Sequence, residues 1–144
     1  LIVPLSFSSL SSQRGRTELI NPLKEAGGLV KLGVICEICD IDGVPPGALL
    51  AATSLVRPFS VLVVGRLNHP SPNVVTRLRD AGLQALSFEC PPNLGEAKFI
   101  GWATAAIRAA KAGARSVLVY KVASPARAGA LSSMGATHMS LSTG

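Results

Sequence analysis

Short apolar runs alternate along the whole chain with longer stretches in which apolar residues recur at helical spacing. Runs rich in Val, Ile, Leu and Phe predict strands over 1–7, 34–40, 59–66, 83–89, 115–122 and 137–142. The intervening spacing predicts helices over 17–33, 45–56, 71–82, 96–113 and 124–135. The sequence therefore predicts a strand and a helix in strict alternation.

This alternation predicts an α/β fold with a parallel sheet, because each return to the next parallel strand needs a crossover helix. A doubly wound sheet and a TIM-type barrel both satisfy the pattern. Four predicted helices end in GGLVKLG, RDAG, KAGA and SMGAT, where glycine at the C-cap is expected to take a positive φ, and this regular repetition favours the barrel. Six strands are fewer than the eight that close such a barrel, so we expect a partial barrel with six βα units. Residues 1–144 are expected to be one domain within a longer chain, since no initiator Met is present.

Composition narrows the classes of partner. Hydrophobic residues make up 48% of the chain and aromatics only 4%, so small aliphatic side chains must build the core. The net charge of +6 is spread over scattered Arg and Lys residues, without a basic run interleaved with aromatics. We therefore expect a solvated basic surface and no nucleic-acid partner.

The three cysteines are an odd number in a chain without other secretory features, which indicates free thiols in a reducing, cytoplasmic setting. The apolar segment 1–10 is too short to cross a bilayer and lacks a basic flank, so no membrane insertion is expected.

The stretch VICEICD, residues 34–40, could be a metal site, a thiol site or an ordinary strand. On a strand Cys36 and Cys39 point to opposite faces, whereas a zinc site needs converging thiolates. We therefore expect both cysteines to act as small buried side chains. Glu37 differs, because a carboxylate in an apolar strand is costly unless it is paired or lies at the mouth of the barrel. Lys121, near another strand end, is an alternative salt-bridge partner for it.

Other familiar catalytic patterns are absent from the sequence. His69 and His138 lack a nucleophile or orienting carboxylate at a recognisable spacing, and the GxSxG motif does not occur. The glycine-containing stretches match neither the Rossmann nor the Walker pattern. The segment 140–144, SLSTG, is similar to the phosphate-holding loop that follows the last strand of many barrels.

Taken in order, the predicted units resemble the later two thirds of the bacterial EAL domain, the cyclic di-GMP phosphodiesterase barrel. LIVPLSFSSL is similar to that family's LSVNLSARQL strand, ICEICD to LEITES, and SVLVVGRLNHP to the strand ending in DDFGTG. LQALSFE resembles the LKID strand, and 116–141 resembles VVAEGVETEEQLALLRELGCDYVQGY. The resemblance rests on the order of six units rather than on one strong motif.

The resemblance implies that most metal ligands of the family are replaced here. Glu37 occupies the position of a metal-binding Glu, Asp40 that of the second Glu of its strand, and Glu89 keeps an acid where the family has Asp. Arg66 falls within one residue of the family's Asp pair, where a guanidinium would repel a cation. At the other site positions, Pro4 stands where the family has a metal-binding Asn, Gly65 near its Asp pair, Ser87 at its Lys, Tyr120 and Ala123 at two Glu, and Ser140 at a Gln.

These replacements predict a catalytically inactive, degenerate EAL-type domain in bacterial cyclic di-GMP signalling. It would act as a protein-interaction scaffold or as a non-hydrolysing cyclic di-GMP receptor, with a protein partner, a second copy of itself or the dinucleotide as ligand. No catalytic residue and no cofactor are assigned. The candidate ligand-binding residues are Glu37, Asp40, Arg66 and Glu89, and Glu37 is a weak metal candidate.

An enzyme is the alternative. A metal-dependent phosphodiesterase, or another phosphate-handling barrel enzyme, would use Glu37, Asp40 and Glu89 to hold Mg²⁺. That alternative requires the three carboxylates to converge on one point at the mouth of the barrel. Trp102, a single large side chain on an Ala-rich helix, is assigned to core packing, with a contact surface as the alternative.

Overall fold

The computed structural model describes residues 1–29 and 33–142, and it has the predicted α/β architecture. The strands are β1 (Ile2–Ser6), β2 (Ile35–Cys39), β3 (Leu62–Arg66), β4 (Ala85–Glu89), β5 (Ser116–Val122) and β6 (His138–Leu141). The helices are α1 (Phe7–Ser11), α2 (Gln13–Leu29), α3 (Pro46–Val56), α4 (Pro72–Arg77), α5 (Glu96–Gly113) and α6 (Pro125–Met134), and a 3₁₀ turn spans Arg57–Phe59. No helix in these ranges is both long and apolar enough to cross a membrane.

The strands form one parallel sheet in the order β1-β2-β3-β4-β5-β6, so each strand pairs with its neighbour in sequence. A doubly wound sheet would reverse its strand order at a switch point, and this sheet does not. Sequential order is the arrangement of a (β/α) barrel, and the fold is a partial barrel of TIM type. Within the described residues, β1 and β6 each pair along one edge only.

The sheet has two unlike faces. Its outer face packs under the helices in an extended apolar core, which contains Cys36, Ile38, Leu86 and Phe88. On α5 the buried residues Phe99, Ala103, Ala106, Ile107 and Ala110 recur at helical spacing and cover this face. The inner, concave face carries only a small apolar cluster, made of Val64, Ala85 and Leu118 with partly buried neighbours.

One helix was not predicted, and two others have bounds that differ by several residues from the predictions. The unpredicted helix α1 occupies a serine-rich segment; Leu10 is buried in the core, and this burial outweighs the weak helix preference of serine. Helix α2 begins at Gln13 instead of residue 17 and contains Pro22. Helix α4 ends at Arg77 rather than at residue 82. The predicted helix 17–33 and the predicted loop 140–144 both extend partly outside the described residues.

Several helices begin or end at residues that satisfy the free backbone groups of the helix terminus. Ser71 and Ser124 cap α4 and α6 by accepting a hydrogen bond from the backbone N–H three residues later. Gly135 ends α6 at φ 117°, as the sequence predicts. The prediction of the same role for Gly113 was wrong, because Gly113 is the last helical residue and Ala114 continues as extended backbone.

Gly65 lies on β3 beside Arg66 and pairs with Ile38 of β2 and Leu86 of β4. A Cβ at this position would lie 2.6 Å from Leu83 Cδ1 and 2.7 Å from Ile41 Cδ1. The absence of a side chain therefore lets the outer core close over β3.

Candidate functional site

A buried carboxylate lies at the centre of the candidate site. Glu37, on the inner face of β2, is 5% exposed. Its Oε2 accepts hydrogen bonds from Ser87 Oγ at 2.8 Å and from the Tyr120 hydroxyl at 2.7 Å. Its Oε1 accepts a long bond of 3.5 Å from Arg66 Nη1. The cost of burying this carboxylate is thus offset by three partners from three other strands.

Arg66 connects Glu37 to a second acid. The guanidinium Nη2 donates to Glu89 Oε1 at 2.5 Å, at the end of β4. The Arg66 Cζ also lies 5.0 Å from the centre of the Tyr120 ring, in cation–π geometry. Arg66 is therefore held on three sides and occupies the space between the two carboxylates.

Lys121 completes the group by placing its Nζ 3.1 Å from Glu89 Oε1. Its backbone is left-handed, with φ 56°, and the pairing of β5 with β6 shifts register between Val119 and Val122. This irregularity is a local departure from the strand geometry at the end of β5, where Lys121 meets Glu89. Glu37, Arg66, Glu89 and Lys121, with Ser87 and Tyr120, are called the mouth network below.

The mouth network is balanced in charge, with two carboxylates facing two cationic side chains. The hydrogen bond from Lys121 lowers the pKa of Glu89, and the charge of Arg66 adds to this effect. Burial raises the pKa of Tyr120 strongly, and its hydrogen bond to Glu37 raises it further. At neutral pH Glu89 is therefore kept ionised and Tyr120 is kept neutral, as their ion pairs and hydrogen bond require.

The network leaves little for a metal ion to bind. In residues 1–29 and 33–142 no group of three or more His, Cys, Asp or Glu side chains could hold one. Each acid of the network already faces a cation, and the Arg66 guanidinium lies between them. The donor set therefore does not fit the Mg²⁺ that the enzyme alternative requires.

The predicted candidates do not all come together. Glu37, Arg66 and Glu89 meet as described, whereas Asp40 is exposed, has φ 60°, and makes no hydrogen bond or ion pair with any residue that the structure describes. The neighbouring Asp42 instead accepts backbone N–H bonds from Asn68 at 3.0 Å and His69 at 3.4 Å. Asp42 thus ties together the loops that follow β2 and β3.

The two cysteines of β2 occupy different surroundings, as the alternation predicts. Cys36 is fully buried in the outer core, with its Sγ 3.0 Å from Ser60 Oγ, while Cys39 is partly exposed at the end of the strand. Burial raises the pKa of both thiols, which disfavours the reactive thiolate. His138 Nδ1 lies 3.1 Å from Thr137 Oγ1, and this contact with a neighbouring hydroxyl does not indicate a catalytic role.

A cleft of about 430 Å³ opens beside the mouth network. It lies between the loops that follow β4 and β5 and the end of β6. Two basic side chains, Lys121 and Arg127, line it together with Glu89, Asn93 and Ser142. Arg127 is anchored in turn by the Leu94 carbonyl at 2.7 Å and by the Phe99 ring at 4.6 Å.

Ser87 and Tyr120 were not among the predicted site residues, although both hydrogen-bond directly to Glu37. The sequence contained a usable indication, because by resemblance Ser87 aligns with a Lys and Tyr120 with a Glu of the EAL family's site. Such positions face the site whatever residue they hold. Lys121 was considered as a partner for Glu37, but it pairs with Glu89.

Comparison with protein-family profiles gives no match, and no curated protein matches the sequence. Among solved structures, the fold is similar to the Vibrio cholerae LapD S helix-GGDEF-EAL structure in its apo form, with TM-score 0.67, 14% identity and coverage of 93% of this chain and 34% of that chain. It is also similar to the phosphodiesterase PaMucR in complex with c-di-GMP, with TM-score 0.71, 12% identity and coverage of 96% of this chain and 63% of that chain. The chain thus spans less than two thirds of either neighbour. At these identities the likeness concerns the fold, which is EAL-like.

Proposed function

We propose that this chain is a degenerate, catalytically inactive EAL-like domain of cyclic di-GMP signalling that acts as a protein-interaction scaffold. The fold supports the family, and the mouth network supports the loss of catalysis. The proposal assigns the chain a role in binding rather than in turnover.

The observation that carries the proposal is the position of Arg66. Metal-assisted phosphodiester hydrolysis needs carboxylates that hold divalent cations and activate a water molecule. Here the guanidinium of Arg66 bonds Glu37 on one side and Glu89 on the other. A cation placed between these acids would have to displace a bound positive charge, which is costly in a partly buried site.

Two residues at site positions of the resemblance support the same conclusion. Ser87, at the family's Lys position, and Tyr120, at a Glu position, both donate hydrogen bonds to Glu37 and so stabilise the carboxylate internally. No buried side-chain N or O atom lacks a hydrogen-bond partner among the residues described. A site that satisfies its own polar groups has little affinity left for an ion.

Calorimetric titration of the purified chain with cyclic di-GMP, with and without Mg²⁺, tests the proposal when it is followed by chromatography for the linear dinucleotide. The scaffold role predicts neither binding nor product from a sample that circular dichroism shows to be folded. Formation of product would contradict the proposal. Binding without product would support the receptor candidate described below.

A substitution isolates the role of Arg66. Arg66→Gln removes the guanidinium that bonds both Glu37 and Glu89, so we expect Mn²⁺ binding to become detectable by calorimetry. Arg16→Gln, on the exposed face of α2, is the matched control and should bind no more Mn²⁺ than the parent. Equal Mn²⁺ binding by the parent chain and the Arg66 variant would show that Arg66 does not exclude the metal.

A non-hydrolysing receptor for cyclic di-GMP is the second candidate, and the cleft beside the network favours it. Lys121 is 66% exposed in its side chain and shares this cleft with Arg127, so two cations face a space of about 430 Å³. Such a cleft suits phosphate groups. Charge removal by Lys121→Gln should weaken dinucleotide binding at least tenfold if this candidate is correct.

A further inference from the structure

A second and larger concavity lies on the outside of the barrel. It is a groove of about 680 Å³ between α4 and α5, away from the mouth network. None of the network residues lines it. We call it the α4–α5 groove, and its lining residues are Pro70, Ser71, Pro72, Val75, Thr76, Arg79, Ala105, Arg108, Ala109 and Ala112.

The groove exists because α4 is short and α5 is long. Helix α4 ends at Arg77 after six residues, whereas α5 continues for eighteen residues to Gly113. The alanines that line the α5 wall are spaced at i, i+4 and i+7, which places them on one side of the helix over about 10 Å. Small side chains along this side leave room for another backbone to approach.

The lining is mostly apolar and includes two basic residues. Proline, valine and alanine form most of the surface, and Arg79 and Arg108 are the charged members. Neither arginine forms an ion pair with any residue in the described ranges. Their guanidinium groups are both exposed and available to an anionic partner.

The surroundings have the same charge. Of the three acids within residues 70–113, Glu89 and Glu96 are paired with basic side chains, which leaves Asp80 without an ion pair among the described residues. The charged residues that line the groove are Arg79 and Arg108, and the exposed Arg77 ends α4 beside it. A partner that docks here must therefore be acidic outside its apolar contact surface.

We infer that the α4–α5 groove binds an acidic amphipathic helix of a partner protein. An apolar helix face fits a groove between two helices, and flanking Glu or Asp residues would pair with Arg79 and Arg108. Nucleic acid suits the site poorly, because no aromatic side chain lines it for base stacking. The inference rests on the proposed scaffold function and names the surface and the class of partner.

A display library of helical peptides tests the inference. All members share one apolar stripe, and their polar positions vary among Glu, Lys, Gln and Ser. Selection on the intact chain should enrich members with Glu at the flanking positions. The inference is overturned if enriched peptides show no acidic excess, or if none is enriched over a surface without the protein.

Variants locate the binding. The double change Arg79→Glu with Arg108→Glu should weaken the best synthetic peptide at least tenfold in fluorescence anisotropy. Ala105→Trp, which fills the groove without changing charge, should do the same. The matched control is Arg14→Glu with Arg16→Glu on α2, which makes the same change in net charge and should leave the affinity within about twofold. Equal losses in the control and in the groove variants would refute the site.

Two further arms separate the alternatives. Anionic lipid vesicles and a single-stranded oligonucleotide are titrated against the same variants, and strong binding of either that depends on Arg79 and Arg108, without peptide binding, overturns the inference. Lys121→Gln should not change peptide affinity. Dinucleotide product would refute the proposed function while leaving the groove intact, and failure of peptide binding without product would refute the groove alone.

Discussion

The two faces of the sheet differ in what their side chains contribute. On the outer face Ile38, Leu86 and Phe88 are apolar and almost fully buried under the helices. On the inner face Glu37, in the middle of β2, and Arg66 and Glu89, at two strand ends, are linked by ion pairs and hydrogen bonds. The outer face therefore supplies most of the stability, while the inner face can change its chemistry without loss of the fold.

The largest effect is expected on the outer face. Phe88→Ala removes a fully buried ring that packs edge-to-face on Trp102 at 5.8 Å, so it should cost about 3–5 kcal/mol of unfolding free energy. Urea unfolding followed by far-UV circular dichroism measures the change. The adjacent Ser87→Ala, on the inner face, should cost about 1–3 kcal/mol through the lost bond to Glu37. Equal costs for the two neighbours would remove the contrast between the faces.

A double-mutant cycle measures how tightly the inner face is coupled. Arg66→Met leaves the buried Glu37 with one partner fewer and should cost about 1–3 kcal/mol. Glu37→Gln combined with Arg66→Met should cost less than the sum of the two single changes, with a coupling of about 0.5–3 kcal/mol. Urea titrations of the four proteins provide the data. Strict additivity would mean that the 3.5 Å contact contributes nothing.

Tyr120 offers a direct spectroscopic test, because it is the single tyrosine of the chain. Burial and Glu37 raise its pKa above the usual 10.0, so its phenolate absorbance should appear only in more alkaline solution. The neutral phenol is favoured in the folded state. Its contribution to stability is therefore present below pH 10 and is lost as the pH rises through the folded pKa. Glu37→Gln should lower the titration midpoint, and an unchanged midpoint would argue against the hydrogen bond.

The smallest effect is expected at the rim of the mouth. Since Lys121 lowers the pKa of Glu89 below 4.5, this pair stabilises the fold above that pH and ceases to do so as the pH falls through the folded pKa. Glu89 is 42% exposed in its side chain, so Lys121→Gln should cost only about 0.2–1 kcal/mol at neutral pH. Thermal unfolding between neutral and acidic pH tests this. Arg14→Gln removes an exposed ion pair with Glu18 on α2 and is the control. It does not touch Glu89, so the part of the pH dependence that is due to Glu89 should remain.

The fold was predictable because it depends on local patterns. Alternating apolar runs and helical spacing located all six strands within the described residues, and only sheet order was needed to choose a barrel over a doubly wound sheet. Helix α1 was missed because its formation depends on the burial of Leu10, a tertiary contact that serine-rich sequence does not indicate.

The site was only partly predictable. Glu37 stands out in the sequence because an isolated acid in an apolar strand needs partners. Its partners Ser87 and Tyr120 lie 50 and 83 residues away, and only the register of four strands brings them together. Nor does the sequence indicate the left-handed backbone of Lys121, at the point where this side chain meets Glu89 rather than Glu37.

Gly65 limits the acidic residues that β3 can carry. Replacing Arg66 with an acid would touch only the inner face, but an aspartate at 65 would have to displace Leu83 and the fully buried Ile41 on the other side of the sheet. Placing an adjacent pair of carboxylates on β3 would thus require compensating changes in the core. For protein engineering, building such a pair therefore begins beneath the helices, at residues that a ligand in the mouth would not contact.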